Sequence, residues 1–423
     1  MRVDIDVRHL ARIEGHGNIV VRIADGDLKE ARWDVVETPR FFEVMLKGKH
    51  FSAAGILAAR ICGICSISHC LTAVRATERA FGVTVPDAAA RLRLLAKHGE
   101  TIQSHVLHFF FLAAPDFLGL SSAIPLVEAD PEVLQRALRL KGLANRLCDA
   151  VAGRTTHPVA FQPGGVSMVP EKRVLSAIRN ELEDGLDDLH ATARLLATFE
   201  IPDFERETEF VALRGEREYP FIGGRLVSSD GVERAENEYL EMTNEAVVAG
   251  NTSKWSSLSR ESYAVGPLAR CNLNFELLHP EARQIAANLG LAPLCHNPFM
   301  AHVARLVECV HCAHEAIRLV DEIVSSGDEP AMVAVAPVAG EGVGAVEAPR
   351  GILFHHYRYG GDGRIESANC VVPTAQNNGN IHRDLPDFVR QMVESGVNDD
   401  QRLELLCSML VRSYDPCLSC SVH

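Results

Sequence analysis

Apolar positions along the chain recur mostly three and four residues apart, the spacing of helices with one buried face. A long run begins at about Asp87, whose side chain suits an N-cap, and continues through Leu92, Leu94, Leu95, Ile102, Val106 and Phe109. Further runs of this kind cover 131–152, 170–199, 297–326, 384–395 and 399–413, with Pro170 and Pro298 in or near first turns. Alternation takes over in two places. Gly17 to Ile23 and Leu28 to Val36 flank Asp25-Gly26-Asp27, and Gly351 to Phe354 and Cys370 to Val372 flank Gly360-Gly361-Asp362-Gly363, so each segment predicts a hairpin. Between 205 and 280 the periodicity weakens, as in Gly223-Gly224-Arg225, and a loop-rich mixed insertion is expected. No βα alternation supports a parallel sheet. The fold class is therefore mainly α with small β elements (α+β), a long-helix bundle with peripheral antiparallel hairpins. The expected organisation is a single catalytic domain over 1–423, with a β region at 1–50, a helical core at 60–200 and 297–423, and the insertion at 205–280.

Composition narrows the function. A chain of 423 residues with 47% hydrophobic content can bury a large core. Its 42 basic against 56 acidic side chains, a formal charge of -14, argue against nucleic acid and anionic lipid as partners. The opening Met1-Arg2-Val3-Asp4-Ile5-Asp6 has no signal-peptide pattern, and no stretch has the apolar length of a membrane span, so a soluble cytoplasmic protein without direct membrane insertion is expected. Twelve cysteines without a signal peptide suggest thiols kept reduced and available to metal.

Three Cys-x-x-Cys spacings stand out: Cys62/Cys65, Cys309/Cys312 and Cys417/Cys420. The middle pair lies inside a helical run, where residues three apart share a face, and packing is the better reading. The outer pairs can converge as four thiolates on one soft or borderline metal. Zinc is the ordinary meaning of paired Cys-x-x-Cys, yet a zinc ribbon keeps its pairs close, whereas nearly the whole chain separates these. Gly340-Glu341-Gly342-Val343-Gly344-Ala345 superficially fits a dinucleotide fingerprint, but Pro349 follows where a helix is required, and the match is rejected.

Arg60-Ile61-Cys62-Gly63-Ile64-Cys65, with His69 four residues on, and Asp415-Pro416-Cys417-Leu418-Ser419-Cys420-Ser421-Val422-His423 resemble the two signatures of the nickel-iron hydrogenase large subunit. Arg12 to His16, Phe42-Glu43, His105 to His108 with Asp116, Glu347 to Gly351 and Val371 to Thr374 resemble further blocks of that family. The resemblance implies reversible heterolytic cleavage of hydrogen. Cys62, Cys65, Cys417 and Cys420 would bind nickel, with Cys65 and Cys420 bridging to an iron that carries carbon monoxide and cyanide. Cys417, as a terminal thiolate, is the leading base and Glu14 the proton gate beside it. Arg350, paired with Asp116 and Asp415, would cover the open metal position; its high pKa favours electrostatic organisation over base catalysis. His69 would hydrogen-bond a bridging sulfur, and Pro373 and Thr374 would receive a cyanide.

Glu43, His423 and the Cys370 carbonyl would hold magnesium or a similar ion. Taken without the resemblance, Glu14 reads as a surface partner of Arg12, His69 as a core histidine and Thr374 as a turn residue. The remaining cysteines lack iron-sulfur spacing, so an iron-sulfur small subunit is expected to take the electrons. The likeness is greatest to the soluble branch that couples hydrogen to NAD(P) through diaphorase subunits carrying flavin. A hydrogenase feeding a heterodisulfide reductase or deazaflavin, a zinc-stabilised scaffold, and a proton-pumping-complex relative are the competing readings. The stop at His423 looks like a mature, processed end.

Overall fold

The computed structural model describes residues 3–327 and 329–423. Four long helices, Asp87–Leu107, Pro131–Ala152, Lys172–Leu196 and Ala301–Ser325, each pack against two neighbours in a closed ring, as their apolar stripes require. Leu92, Leu95, Leu140, Leu147, Leu182, Leu189 and Val307 meet in the largest core. Asp87 is the first helical residue, not the cap: Pro86 occupies that position and no side chain caps it. The helix passes at His108–Ala113 into a π-helical turn, a feature that often marks a functional segment. No helix among the described residues is long and apolar enough to cross a membrane.

The predicted N-terminal hairpin exists, as Gly17–Ala24 paired with Asp27–Val35, and gains a third antiparallel strand, Val3–Val7. This sheet packs on the helices Pro373–Glu394 and Asp400–Ser413 through Ile19, Val21, Trp33, Leu385 and Leu410. The packing brings the N-terminal Arg12 to Glu14 loop beside the C-terminal segment; Leu418 N–H donates to the Glu14 carbonyl at 2.9 Å. The first of these helices starts eleven residues before the periodic run predicted at 384, with Pro373 in its first turn.

The second hairpin, Gly351–Tyr359 with Ile365–Val371, also gains a strand, Gly340–Ala348. Its Gly340, Gly342 and Gly344 face the helix Ser66–Phe81, and a Cβ at any of them would strike the carbonyl oxygens of Ala80, Ala76 and Thr72. The glycine repeat rejected as a nucleotide motif therefore lets a strand and a helix approach backbone to backbone, and Cys65 caps that helix. The 205–280 region is more ordered than expected. It forms a four-stranded sheet in the order Glu233–Arg234, Arg225–Ser228, Glu209–Arg214, Tyr263–Ala264, followed by the helix Pro267–Asn274.

Candidate metal centre

The first cysteine pair lies just ahead of the helix Ser66–Phe81, and the second straddles the start of the helix Leu418–Ser421. Leaving Cys62, Cys65 and Cys417 outside regular helix frees their side chains to turn toward one point. Cys62 Sγ lies 3.5 Å from Cys417 Sγ, Cys65 Sγ 3.7 Å from Cys420 Sγ, and Cys417 Sγ 2.8 Å from Cys420 Sγ. None is a disulfide. Thiolate bonds of about 2.3 Å place two sulfurs on one metal roughly 3.3–3.8 Å apart between square and tetrahedral angles. The two cross-pair separations match, and the third would open by roughly 0.5–1 Å.

All four thiols are buried in an apolar shell that includes Phe42, Ile61, Ala348, Leu353 and Val372. Hydrogen bonds from Cys417, Cys420 and Cys65 hold the Cys62 thiol well below its ordinary pKa, while burial and its cysteine neighbours push Cys420 well above it. Four adjacent buried thiolates repel one another, so full ionisation of this set calls for a cation at its centre. The donor set fits a soft or borderline metal.

Arg350 occupies the two-residue turn between paired Ala348 and Gly351. It is buried; its Nε donates to the Asp415 carbonyl at 2.8 Å and one Nη to the Asp415 carboxylate at 3.0 Å. Burial opposes its charge, but Asp415 and the thiols of Cys417, Cys65 and Cys62 outweigh burial and hold its pKa well above normal. Its other Nη and the second Asp415 oxygen have no partner among the described residues. A buried, unpaired guanidinium nitrogen beside the thiols fits a group that needs a donor there.

The Glu14 carboxylate accepts from Cys417 Sγ at 3.2 Å and from the Ser419 backbone N–H at 3.0 Å, and it also bonds the Ser419 hydroxyl. Arg12 is not its partner. Arg12 bonds Asp116 and the Leu112 carbonyl, and Arg412 bonds the other Asp116 oxygen at 2.8 Å and the Ala11 carbonyl at 3.1 Å. Asp116 thus differs from expectation: it does not pair with Arg350 but ties the loop carrying Glu14 to the π-helical turn. Two arginines already fill its two oxygens.

His69 also departs from the sequence reading. Its Nδ1 lies 3.1 Å from His355 Nε2, with no hydrogen bond to a cysteine sulfur, and burial lowers its pKa to about 3. A neutral imidazole there pairs with a second imidazole, which in turn bonds Tyr357. Thr374 Oγ accepts the Cys417 N–H at 2.9 Å, which leaves its own hydrogen free to donate.

The side chains of Glu43, Cys370 and His423 come together, with the carboxylate, Sγ and imidazole ligand atoms within 4.8 Å of one another. His423 Nε2 lies 2.8 Å from the Cys370 carbonyl and 3.6 Å from Glu43, while its Nδ1 lies 2.8 Å from the Cys420 carbonyl. Both ring nitrogens thus face acceptors, and a neutral imidazole has one N–H to give. A cation between Nε2, the carbonyl and Glu43 satisfies the second nitrogen, so these residues fit a metal. Burial raises the Glu43 pKa, but hydrogen bonds from His423 and the Cys370 N–H overcome it and lower the carboxylate below its ordinary value.

Two arginines that bear on the site escaped sequence reading. Arg40 donates to the Ile61 carbonyl at 2.5 Å and to the Ser419 carbonyl, clamping one cysteine loop to the other. Arg270 is fully buried and donates to the carbonyls of Ala348 and Pro349, both at 3.0 Å, immediately before Arg350. Glu308, in contact with Arg270 at 2.6 Å and with His105 at 2.8 Å, and Glu347 at 3.0 Å hold that guanidinium. A signal existed: Arg270 is a lone charge in an apolar segment, and a buried charge needs a partner.

The Nickel-dependent hydrogenase family profile matches residues 40–136 and 236–423. The chain is 35% identical to sulfhydrogenase 1 subunit alpha of Pyrococcus furiosus, across 99% of this chain and 97% of that one. It is 31% identical to the NAD-reducing hydrogenase HoxS subunit beta of Cupriavidus necator, across 98% and 93%. A crystal structure of an NAD+-reducing [NiFe]-hydrogenase in the H2-reduced state superposes with a TM-score of 0.87 at 29% identity, covering 99% of each chain. Four buried thiols drawn from opposite ends of the sequence, the matching fold and these full-length likenesses together place the chain in the nickel-dependent hydrogenase family, as a large subunit.

Proposed function

We propose that this subunit splits hydrogen heterolytically, and reversibly, at a nickel-iron centre held by Cys62, Cys65, Cys417 and Cys420, and passes the electrons through an iron-sulfur small subunit to NAD(P). The observation that carries the reading is the closed set of four buried thiols beside an unpaired Arg350 nitrogen. When bound, the centre supplies a redox-active Lewis acid at which hydrogen is polarised and its electron pair taken up. The cross-pair contacts set Cys62 beside Cys417 and Cys65 beside Cys420; the first two would hold nickel alone, and the second two would be shared with an iron carrying carbon monoxide and cyanide. Arg350 and the Thr374 hydroxyl, at the first turn begun by Pro373, are suited to receive such ligands, and Asp415 fixes the guanidinium.

The chain's own chemistry is proton handling. Cys417 Sγ takes the proton, and Glu14, 3.2 Å away and half-buried, relays it outward with the Ser419 hydroxyl alongside. Asp116 contributes by anchoring Arg12 and so the Glu14 loop. His69 steadies the wall behind the thiols through His355. Glu43, the Cys370 carbonyl and His423 are suited to magnesium or a similar ion, which would fasten the C-terminal residues next to Cys420.

Large exposed apolar side chains at Phe41, Val44, Met45 and Ile56, just ahead of Cys62, offer a surface on which an iron-sulfur subunit could bring its cluster close. The likeness to NAD-reducing hydrogenases supports flavin-bearing diaphorase partners and a cytoplasmic setting. The test is the holoenzyme: nickel and iron should be bound, infrared bands of metal-bound carbon monoxide and cyanide present, and hydrogen-dependent reduction of NAD(P)+ measurable. Stoichiometric zinc without those bands would sink the centre, and reduction only of other carriers would overturn the acceptor. Glu14→Gln should leave the bands in place and slow hydrogen-deuterium exchange by about 100-fold or more; an unchanged rate removes Glu14 from the proton path.

A further inference from the structure

The segment Cys309-Val310-His311-Cys312-Ala313-His314 plays no part in the four-thiol site. Its thiols turn into the bundle core, whereas its imidazoles turn toward a second cluster of ligating groups. His314 Nε2 lies 2.5 Å from one oxygen of Glu281, and His190 Nε2 lies 2.5 Å from the other. The His279 ring stacks on His314 with centroids 3.8 Å apart, and the His279 backbone N–H donates to His311 Nδ1 at 3.0 Å. Ligand atoms of His279, Glu281 and His314 all lie within 4.8 Å of one another. Three separate helices supply these residues: His190 comes from Lys172–Leu196, His314 from Ala301–Ser325, and His279 caps Pro280–Asn288, which carries Glu281.

Such an arrangement is costly as a cluster of protonated imidazoles, because one carboxylate must serve two rings while a third stacks on one of them. Two imidazoles and one carboxylate, with no thiolate, suit a borderline cation; magnesium and calcium prefer all-oxygen sets. The site also reaches solvent, with side-chain exposures of 34% at His190, 36% at Glu281 and 19% at His314, which leaves room for water in a remaining coordination position.

We propose that His279, Glu281 and His314 form a second metal site, for a zinc-class divalent cation, with His190 orienting Glu281 through its other oxygen. Bonds of about 2.0–2.1 Å place neighbouring ligand atoms about 3.3 Å apart at tetrahedral angles, so the His314 to Glu281 contact opens by roughly 0.8 Å as the ion enters. The ion would staple the Pro280–Asn288 helix to the ring helix Ala301–Ser325, independently of the thiolate pocket.

The experiment uses the holoenzyme, briefly treated with chelator and then titrated with Zn2+ alone. Zinc, nickel and iron per chain are read by mass spectrometry, and the melting temperature is followed in parallel. The wild type should take up one zinc more than the His279→Gln/His314→Gln double variant and gain thermal stability with zinc. His190→Gln should bind about 10- to 100-fold more weakly, the usual effect of removing a residue that orients a ligand. Glu281→Gln, a single half-exposed change, provides the same comparison should the double variant fold poorly. Nickel, iron and hydrogen turnover should be equal in all. Equal zinc uptake and equal zinc-induced stabilisation in wild type and Glu281→Gln would overturn the proposal and leave a plain imidazole-carboxylate hydrogen-bond cluster.

Discussion

Three cysteine spacings of identical form meet two opposite fates in this molecule. Cys62/Cys65 and Cys417/Cys420 sit where the backbone enters a helix, and Cys65 and Cys417 hold the cap positions with non-helical dihedrals. Cys309 and Cys312 lie mid-helix in Ala301–Ser325, where backbone N–H groups are already used and both sulfurs join an apolar core. In the first setting a sulfur receives hydrogen bonds, as Cys62 does from the Ile64 N–H at 3.3 Å, and lies near the Arg350 charge. In the second, burial and then the Glu308 charge drive the Cys309 thiol up and keep it protonated. Spacing alone therefore does not make a ligand pair. Freedom from the helix and a facing pair do.

The comparison breaks hardest at Cys417. Cys417→Ser keeps size and hydrogen bonding but replaces a soft, polarisable thiolate with a poor ligand whose proton is held far more tightly. Hydrogen-deuterium exchange should fall to background and nickel content should drop with it, measured on the same preparation. Exchange that persists at the wild-type rate per chain would take Cys417 out of the ligand set and with it the distinction drawn between the two kinds of pair.

The same contrast explains how much could be read from the sequence. Helices with one polar face announced themselves, including those that form the ring, because water on one side enforces the period. The start of Pro373–Glu394 stayed hidden because Gln376, Asn377, Asn378 and Asn380 are buried there, bonded to the Ile352 and Val265 carbonyls, Ser253 and Tyr414. Val3–Val7 does alternate, but five residues at the edge of a sheet carry little signal by themselves. The four thiols were legible through two motifs and a resemblance. The partner of Asp116 was not: Arg12 is 104 residues away and Arg412 is 296, and the choice between them and Arg350 is made by the packing of the N-terminal sheet.

An intermediate effect is expected at Arg270, which touches neither thiol nor metal but grips the carbonyls of Ala348 and Pro349 ahead of Arg350. Arg270→Lys keeps the charge that balances Glu308 and Glu347 yet cannot reproduce the forked contacts. A shift of about 1 Å at Arg350 is enough to cost roughly 100-fold in rate. Exchange per bound nickel should fall by about 10- to 100-fold while nickel content stays near one per chain. A purely structural role predicts otherwise: the melting temperature would drop and the rate per nickel would not. That result would demote Arg270 from a positioning residue of the metal centre to a brace of the helical ring.

The smallest effect belongs to the pair inside the helix. Cys309→Ala removes one sulfur from a packed core and leaves a void about the size of that atom, so a loss of about 1 kcal/mol is expected. The thiol makes no charge-bearing contact that function needs, since burial keeps it protonated. Denaturant unfolding should register the destabilisation, with nickel, iron and exchange rate unchanged. The sharper variant is Cys309→Ala/Cys312→Ala, which deletes the whole spacing while keeping helix propensity high. If that protein lost metal in proportion to sulfur removed, Cys-x-x-Cys would be a ligand signal even in mid-helix, and the backbone setting of the outer pairs would cease to explain the difference.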